Sequence, residues 1–134
     1  MTWVKDDSTS IDHTAGGVEV KVSKAKSESL IPGTVSGLSS LVAIAPEAIV
    51  SRVLAKTSGG SVTLFAFAAG QELSEHTAPF DALVQVVDGD LEVTVGGEPV
   101  RLGPNAVVLM PADVPHALRA EVDSRMVLVM LREQ

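Results

Sequence analysis

The chain has 134 residues, a formal net charge of −7 at pH 7, no cysteine, no tyrosine, one tryptophan and three phenylalanines. That length suits one domain with a core of its own. The missing thiols exclude disulfides, zinc–thiolate sites, iron–sulfur clusters and cysteine nucleophiles, and the acidic balance with few aromatic rings argues against nucleic-acid partners. No apolar stretch approaches the roughly 18 residues of a membrane span, and Met1 to Asp7 is polar, without a signal-peptide core. The expected setting is the cytoplasm, with no membrane partner.

Residues 1–29 are rich in Lys, Asp, Ser and Thr, with a Gly16-Gly17 pair, and only 18–22 (VEVKV) alternates apolar and polar residues. They predict a polar, flexible N-terminal arm that adds one edge strand, ahead of a single β-domain over 30–134. His13, beside Asp12 in this arm, reads as a solvated tail residue. Residues 30–47 carry Pro32, Gly33, Gly37 and Pro46 around LVAIA at 41–45, which suits a short strand or a turn of helix.

From Ile49 the rhythm becomes short apolar runs at 49–55, 61–68, 82–87, 91–95, 99–102, 106–110, 116–122 and 126–132, separated by Gly, Pro, Asn and Asp. Runs at that spacing predict an all-β sandwich or barrel. Asp88-Gly89, between ALVQVV and DLEVTV, predicts a two-residue hairpin, because a type I′ turn needs positive φ at both central residues. AVVLM at 106–110 and MVLVML at 126–131 do not alternate, so both read as strands covered on two faces. The cover is expected from a second copy of the chain in a homodimer; the alternative is the N-terminal arm.

His76 and His116 are the histidines outside the arm. Each follows a turn and lies at a strand, in GQELSEH (70–76) and PADVPH (111–116). In a compact barrel such positions can meet. Phe65, Phe67, Met110 and Met126 read as core, Arg52 and Arg119 as solvated strand residues, and Gln85 as a hydrogen-bonding interruption of an apolar run. Ser74 near His76 lacks the orienting carboxylate and oxyanion-hole signature of a triad.

The segments HTAPFDALVQVVDG (76–89) and MPADVPHAL (110–118) resemble the two motifs of the cupin superfamily, small jelly-roll β-barrels. Gly70, His76 and Gly89 fit the first motif; Pro111 and His116 fit the second, with Asn105 and Asp113 standing where the family has glycine. Asn and Asp are the non-glycine residues best suited to left-handed backbone, so both replacements are expected to keep the turns. The resemblance implies a jelly-roll barrel over about 48–132. It also implies a metal-ligand set at His76, Ala78, Ala82 and His116, in which two alanines offer no donor.

Two ligands fall short of the three that stable sites usually supply. A divalent transition metal would therefore need a third ligand from Glu72, on the face of His76 if the strand is regular, or from Asp81. No cofactor is otherwise called for. The first expectation is a cupin-like barrel that binds a small, mostly apolar molecule with little or no metal. Its pocket would be made by His76, His116, Ser74, Ala78, Ala82 and Val84, and its role would be sensor, carrier or storage module. The second is a metal-dependent oxygenase or isomerase using His76 and His116. The third is a structural barrel with a decayed site, working through protein contacts.

Overall fold

The structure, a computed structural model, describes residues 10–15, 18–24 and 29–132. The strands are β1 (Ser10–Ala15), β2 (Val18–Lys24), β3 (Ile49–Thr57), β4 (Gly60–Phe67), β5 (Glu72–His76), β6 (Asp81–Asp88), β7 (Leu91–Val95), β8 (Glu98–Leu102), β9 (Val107–Met110), β10 (His116–Ala120) and β11 (Ser124–Leu131). One short helix, α1 (Leu38–Leu41), precedes β3. The larger sheet runs β1-β2-β3-β4-β11-β6-β9 and the smaller β5-β10-β7-β8. This is the expected all-β jelly roll.

Alternation decides what enters the space between the sheets. On β6 the small and branched residues Ala82, Val84 and Val86 point inward and are buried, while Asp81 and Gln85 are exposed. They meet Phe65 and Phe67 from β4, Met126, Leu128 and Met130 from β11, and Leu73, Leu91, Val93 and Leu118 from the smaller sheet. The smaller sheet has one wet face, carrying Glu72, Glu92, Thr94 and Arg119, as an antiparallel sheet with a single buried side should.

Three expectations change. Asp88-Gly89 does not close a hairpin: β6 pairs with β11 and β9, whereas β7 pairs with β10 and β8, so the dipeptide carries the chain from one sheet to the other. Gly89 does have positive φ (91°), but the crossing uses it to pass against Asp123 and Ser124. The two-residue turn of that kind is Gly96-Gly97 (φ 58° and 84°), between the paired residues Val95 and Glu98.

Second, the arm supplies two strands, and its outermost is β1 rather than 18–22. β2 runs parallel to β3, with Val22 opposite Ile49, and β1 is antiparallel to β2. SIDHTA has one large apolar residue and gives no alternation to read. The expected mobility at the start of the arm lies outside the described residues.

Third, β11 is covered on both faces within one chain. Val127 and Val129, with Leu54, Leu64 and Ala66, pack under Leu30, Leu41, Val42 and Ile44. The covering strap belongs to residues 30–44, not to the arm. It is tied down by Arg125, whose Nε donates to the Val42 carbonyl (2.8 Å) and whose guanidinium pairs with Asp88 (3.2 Å), and by the Leu30 amide on the Leu54 carbonyl (2.9 Å). On β9, by contrast, Val107 and Leu109 remain exposed on the sheet's free edge.

Candidate functional site

His76 ends β5 and His116 begins β10, and the two are register partners. Their rings meet edge to face, with centroids 4.5 Å apart and planes at 77°. Register is the reason both face inward. Between the pairs His116–His76 and Leu118–Leu73, β10 advances two residues and β5 three, so a bulge absorbs one residue of β5. That bulge overturns the regular alternation assumed from the sequence: His76 shares the inner side with Leu73, not with Glu72.

The same shift relocates two expected site residues. Glu72 pairs with Arg119 in register and as an ion pair (3.9 Å), on the outer face. Ser74 lines an outer groove with Glu72, Glu92, Thr94 and Arg119, and reaches the histidines through its carbonyl, which accepts from His76 Nδ1 at 2.7 Å. Asp81 is exposed and accepts from the Ala112 amide (2.8 Å), fastening the turn that carries His116. Ala78 and Ala82 are both buried, and the Ala78 carbonyl accepts from the Asp113 amide (2.8 Å). Val84 is fully buried two residues further along β6. Arg52 donates to the Leu41 carbonyl (3.4 Å), and Gln85 faces outward.

Asn105 and Asp113 both adopt left-handed backbone (φ 71° and 64°), as expected for residues in glycine positions. At Asp113 this lets the 111–115 turn fold against Ala78 while the Pro115 carbonyl accepts from the Gly96 amide (2.8 Å). The turn thus fixes His116 from both sides.

His116 Nδ1 lies 3.1 Å from the Val114 carbonyl. A carbonyl only accepts, so both imidazoles carry their proton on Nδ1 and present the Nε2 lone pair when neutral. His116 is 2% exposed, and that burial pushes its pKa below the usual 6.5, against a smaller opposing pull from the Val114 carbonyl. At neutral pH the ring is a neutral hydrogen-bond acceptor or ligand.

Anchored Nδ1 groups are the usual support of metal-binding histidines. The donor set here nevertheless does not fit a complete centre. Ala78 and Ala82 contribute no donor, Glu72 and Asp81 are engaged elsewhere, and among the described residues no group of three or more His, Asp or Glu is arranged to hold an ion.

The run 61–68 contains two polar residues whose role its apolar composition hides. Ser61 (8% exposed) and Thr63 (0%) point into the barrel on the same face of β4 as Phe65 and Phe67, and neither hydroxyl has a hydrogen-bond partner among the described residues. Their shared parity with the two phenylalanines was the available signal.

A two-sheet β-barrel with a histidine from each of two motifs at one end defines a class of small jelly-roll proteins. The Cupin domain family matches residues 63–132, just over half of the chain, and the protein belongs to the cupin superfamily. It is similar to a conserved protein of unknown function from Streptococcus pyogenes (31% identity, 80% of this chain and 94% of that one, TM-score 0.75). It is also similar to a cupin superfamily protein from Desulfitobacterium hafniense (25%, 79% and 97%, TM-score 0.74) and to KdgF from Halomonas sp. (28%, 64% and 81%, TM-score 0.59). No curated protein matches the chain. Among the described residues no helix is long and apolar enough to cross a membrane.

Proposed function

We propose that this cupin barrel binds a small, mostly apolar molecule in its interior, in the cytoplasm, without a resident metal. His76 and His116 hold the ligand's polar group through Nε2. The observation that carries this reading is the inward imidazole pair, oriented by the Ser74 and Val114 carbonyls, beside two alanines that line the wall without donating. Apolar walls with a few convergent polar groups are what small-molecule sites require.

Native mass spectrometry of purified protein, with and without EDTA, tests it. A bound small molecule retained in EDTA and lost from His76→Ala/His116→Ala is the expected result. Retention of the same molecule by the double variant, or its release by EDTA, refutes the reading.

We also infer a homodimer, through a different face from the one expected. Val107 (58% exposed) and Leu109 (48%) lie on β9, an edge strand whose free backbone groups can pair with a second β9 across a two-fold axis. Light scattering at micromolar concentration should give a dimer for the wild type and a monomer for Leu109→Asp. A monomeric wild type ends the inference.

A further inference from the structure

We propose that His13, on β1, joins His76 and His116 as a third imidazole of the ligand site and supplies the hydrogen-bond donor that the other two cannot. The proposal rests on the reading that the histidine pair holds a ligand, and adds to it a residue from outside both motif segments.

The register of the first two strands carries it. Val22 lies opposite Ile49, which is fully buried in the core between the sheets, so Val22 belongs to the inner side of the larger sheet. Alternation puts Val18 and Val20 on that side with it, and the β1 partners of these three valines are Ala15, His13 and Ile11. The other side takes Ser10, Asp12 and Thr14 opposite Ser23, Lys21 and Glu19, all of them polar. The sequence alone reads His13 as a solvated tail residue. The register instead gives it a place on a face that, over residues 11–22, is otherwise made of Ile, Ala and Val.

Topology brings that face to the histidine pair. β1 is the edge of the larger sheet and lies against β5, the edge of the smaller sheet, and β5 pairs with β10. The order across this side of the barrel is therefore β2, β1, β5, β10. His13 is midway along a six-residue strand, beside the five-residue strand that ends in His76. A five-residue strand measures roughly 13 Å from first to last Cα, so the middle of a neighbour lying along it is about 7 Å from either end, a span two imidazole side chains bridge. The His76 and His116 rings each have an interaction beyond those with their carbonyls and with one another, as a third group at the site requires.

Hydrogen-bond chemistry gives a third ring its use. His76 and His116 commit their Nδ1 protons to the Ser74 and Val114 carbonyls, so towards a ligand they only accept. A ligand oxygen needs an N–H, and a neutral imidazole at position 13 brings one. A primary amide matches the full set: its N–H bonds serve the two Nε2 atoms, and its oxygen accepts from the third ring. A carboxylate has no proton for the pair to accept and meets it lone pair to lone pair.

The chain has three histidines, so every imidazole signal belongs to one of three rings. NOE spectra of the full chain should show cross-peaks from the His13 ring protons to those of His76 or His116, and long-range ¹H–¹⁵N spectra should show Nδ1–H tautomers for the pair. Pentanamide should shift all three rings saturably and bind at least tenfold more tightly than pentanoate. It should bind at least fivefold more weakly to His13→Leu, a variant that keeps the inner face of β1 apolar. Absence of cross-peaks from His13 to either ring overturns the proposal, as do Nε2–H tautomers at the pair, pentanoate binding as tightly as pentanamide, or equal amide affinity in wild type and His13→Leu. A parallel His76→Ala/His116→Ala titration separates the two readings. Amide binding lost there but unchanged in His13→Leu removes His13 and leaves the pair's pocket standing. Absence of saturable amide binding to wild type also overturns the proposal, and the pocket reading falls with it only if native mass spectra show no retained molecule.

Discussion

Gly89→Ala should destabilise the protein by about 2–5 kcal/mol in urea denaturation, more than any other single-methyl addition at a positive-φ glycine of known surroundings. Two costs combine. At φ 91° an L side chain is strained by about 1–2 kcal/mol. A Cβ there also runs into the Ser124 hydroxyl and into the Asp123 carbonyl at 2.5 Å, and overpacking of that kind costs about 1–3 kcal/mol. Neither neighbour can retreat easily. Ser124 is fully buried, and its Oγ donates to the Val122 carbonyl (2.7 Å) and accepts from the Asp90 amide (3.0 Å). Gly97→Ala is the control, since at φ 84° its added methyl meets open space and only the conformational cost applies. Equal losses in the two variants would show that the crossing is not tightly packed.

Acidification should destabilise the fold before carboxylates begin to protonate. His116 has a folded pKa below 6.5 because it is buried, so as pH falls past about 7 the unfolded chain takes up a proton that the native ring refuses. Stability is therefore full above the unfolded pKa and declines as pH drops through 6.5 toward the depressed folded value, by at most about 1.4 kcal/mol per pH unit for this group. The His76 ring, its centroid 4.5 Å away, packs edge to face against one side of this imidazole. Urea denaturation at pH 7.5 and 5.5 should show a loss from this group of at most about 1.4 kcal/mol for wild type and a flatter profile for His116→Gln. Parallel profiles would remove His116 as the source.

Much of the fold was legible because its signals are local. The runs from 49 to 132 became strands, and Asn105 and Asp113 took the backbone conformation their glycine positions require. What was hidden was pairing. ELSEH carries one core residue, Leu73, and its bulge reverses the face of everything beyond it, so Glu72 and Ser74 were assigned to the wrong side. Asp88-Gly89 has hairpin chemistry, yet which sheet the next strand joins depends on β10, whose paired residues lie 21 to 29 positions further along the chain. The site was half legible: spacing pointed to the two histidines, but not to the carbonyls that orient them. The hydroxyls of Ser61 and Thr63 were masked by the hydrophobic company they keep.

The position of β11 has a consequence for how the chain is made. It is the last described strand, yet it lies inside the larger sheet, between β4 and β6, with Leu131 opposite both Gly60 and Asp81. During synthesis, β4 and β6 leave the ribosome with facing edges that nothing yet fills, and their apolar inward residues wait for Met126, Leu128 and Met130. Such non-local closure is slow, and open strand edges invite pairing with other chains. The nascent protein is thus most vulnerable to aggregation in the interval before this eight-residue strand arrives.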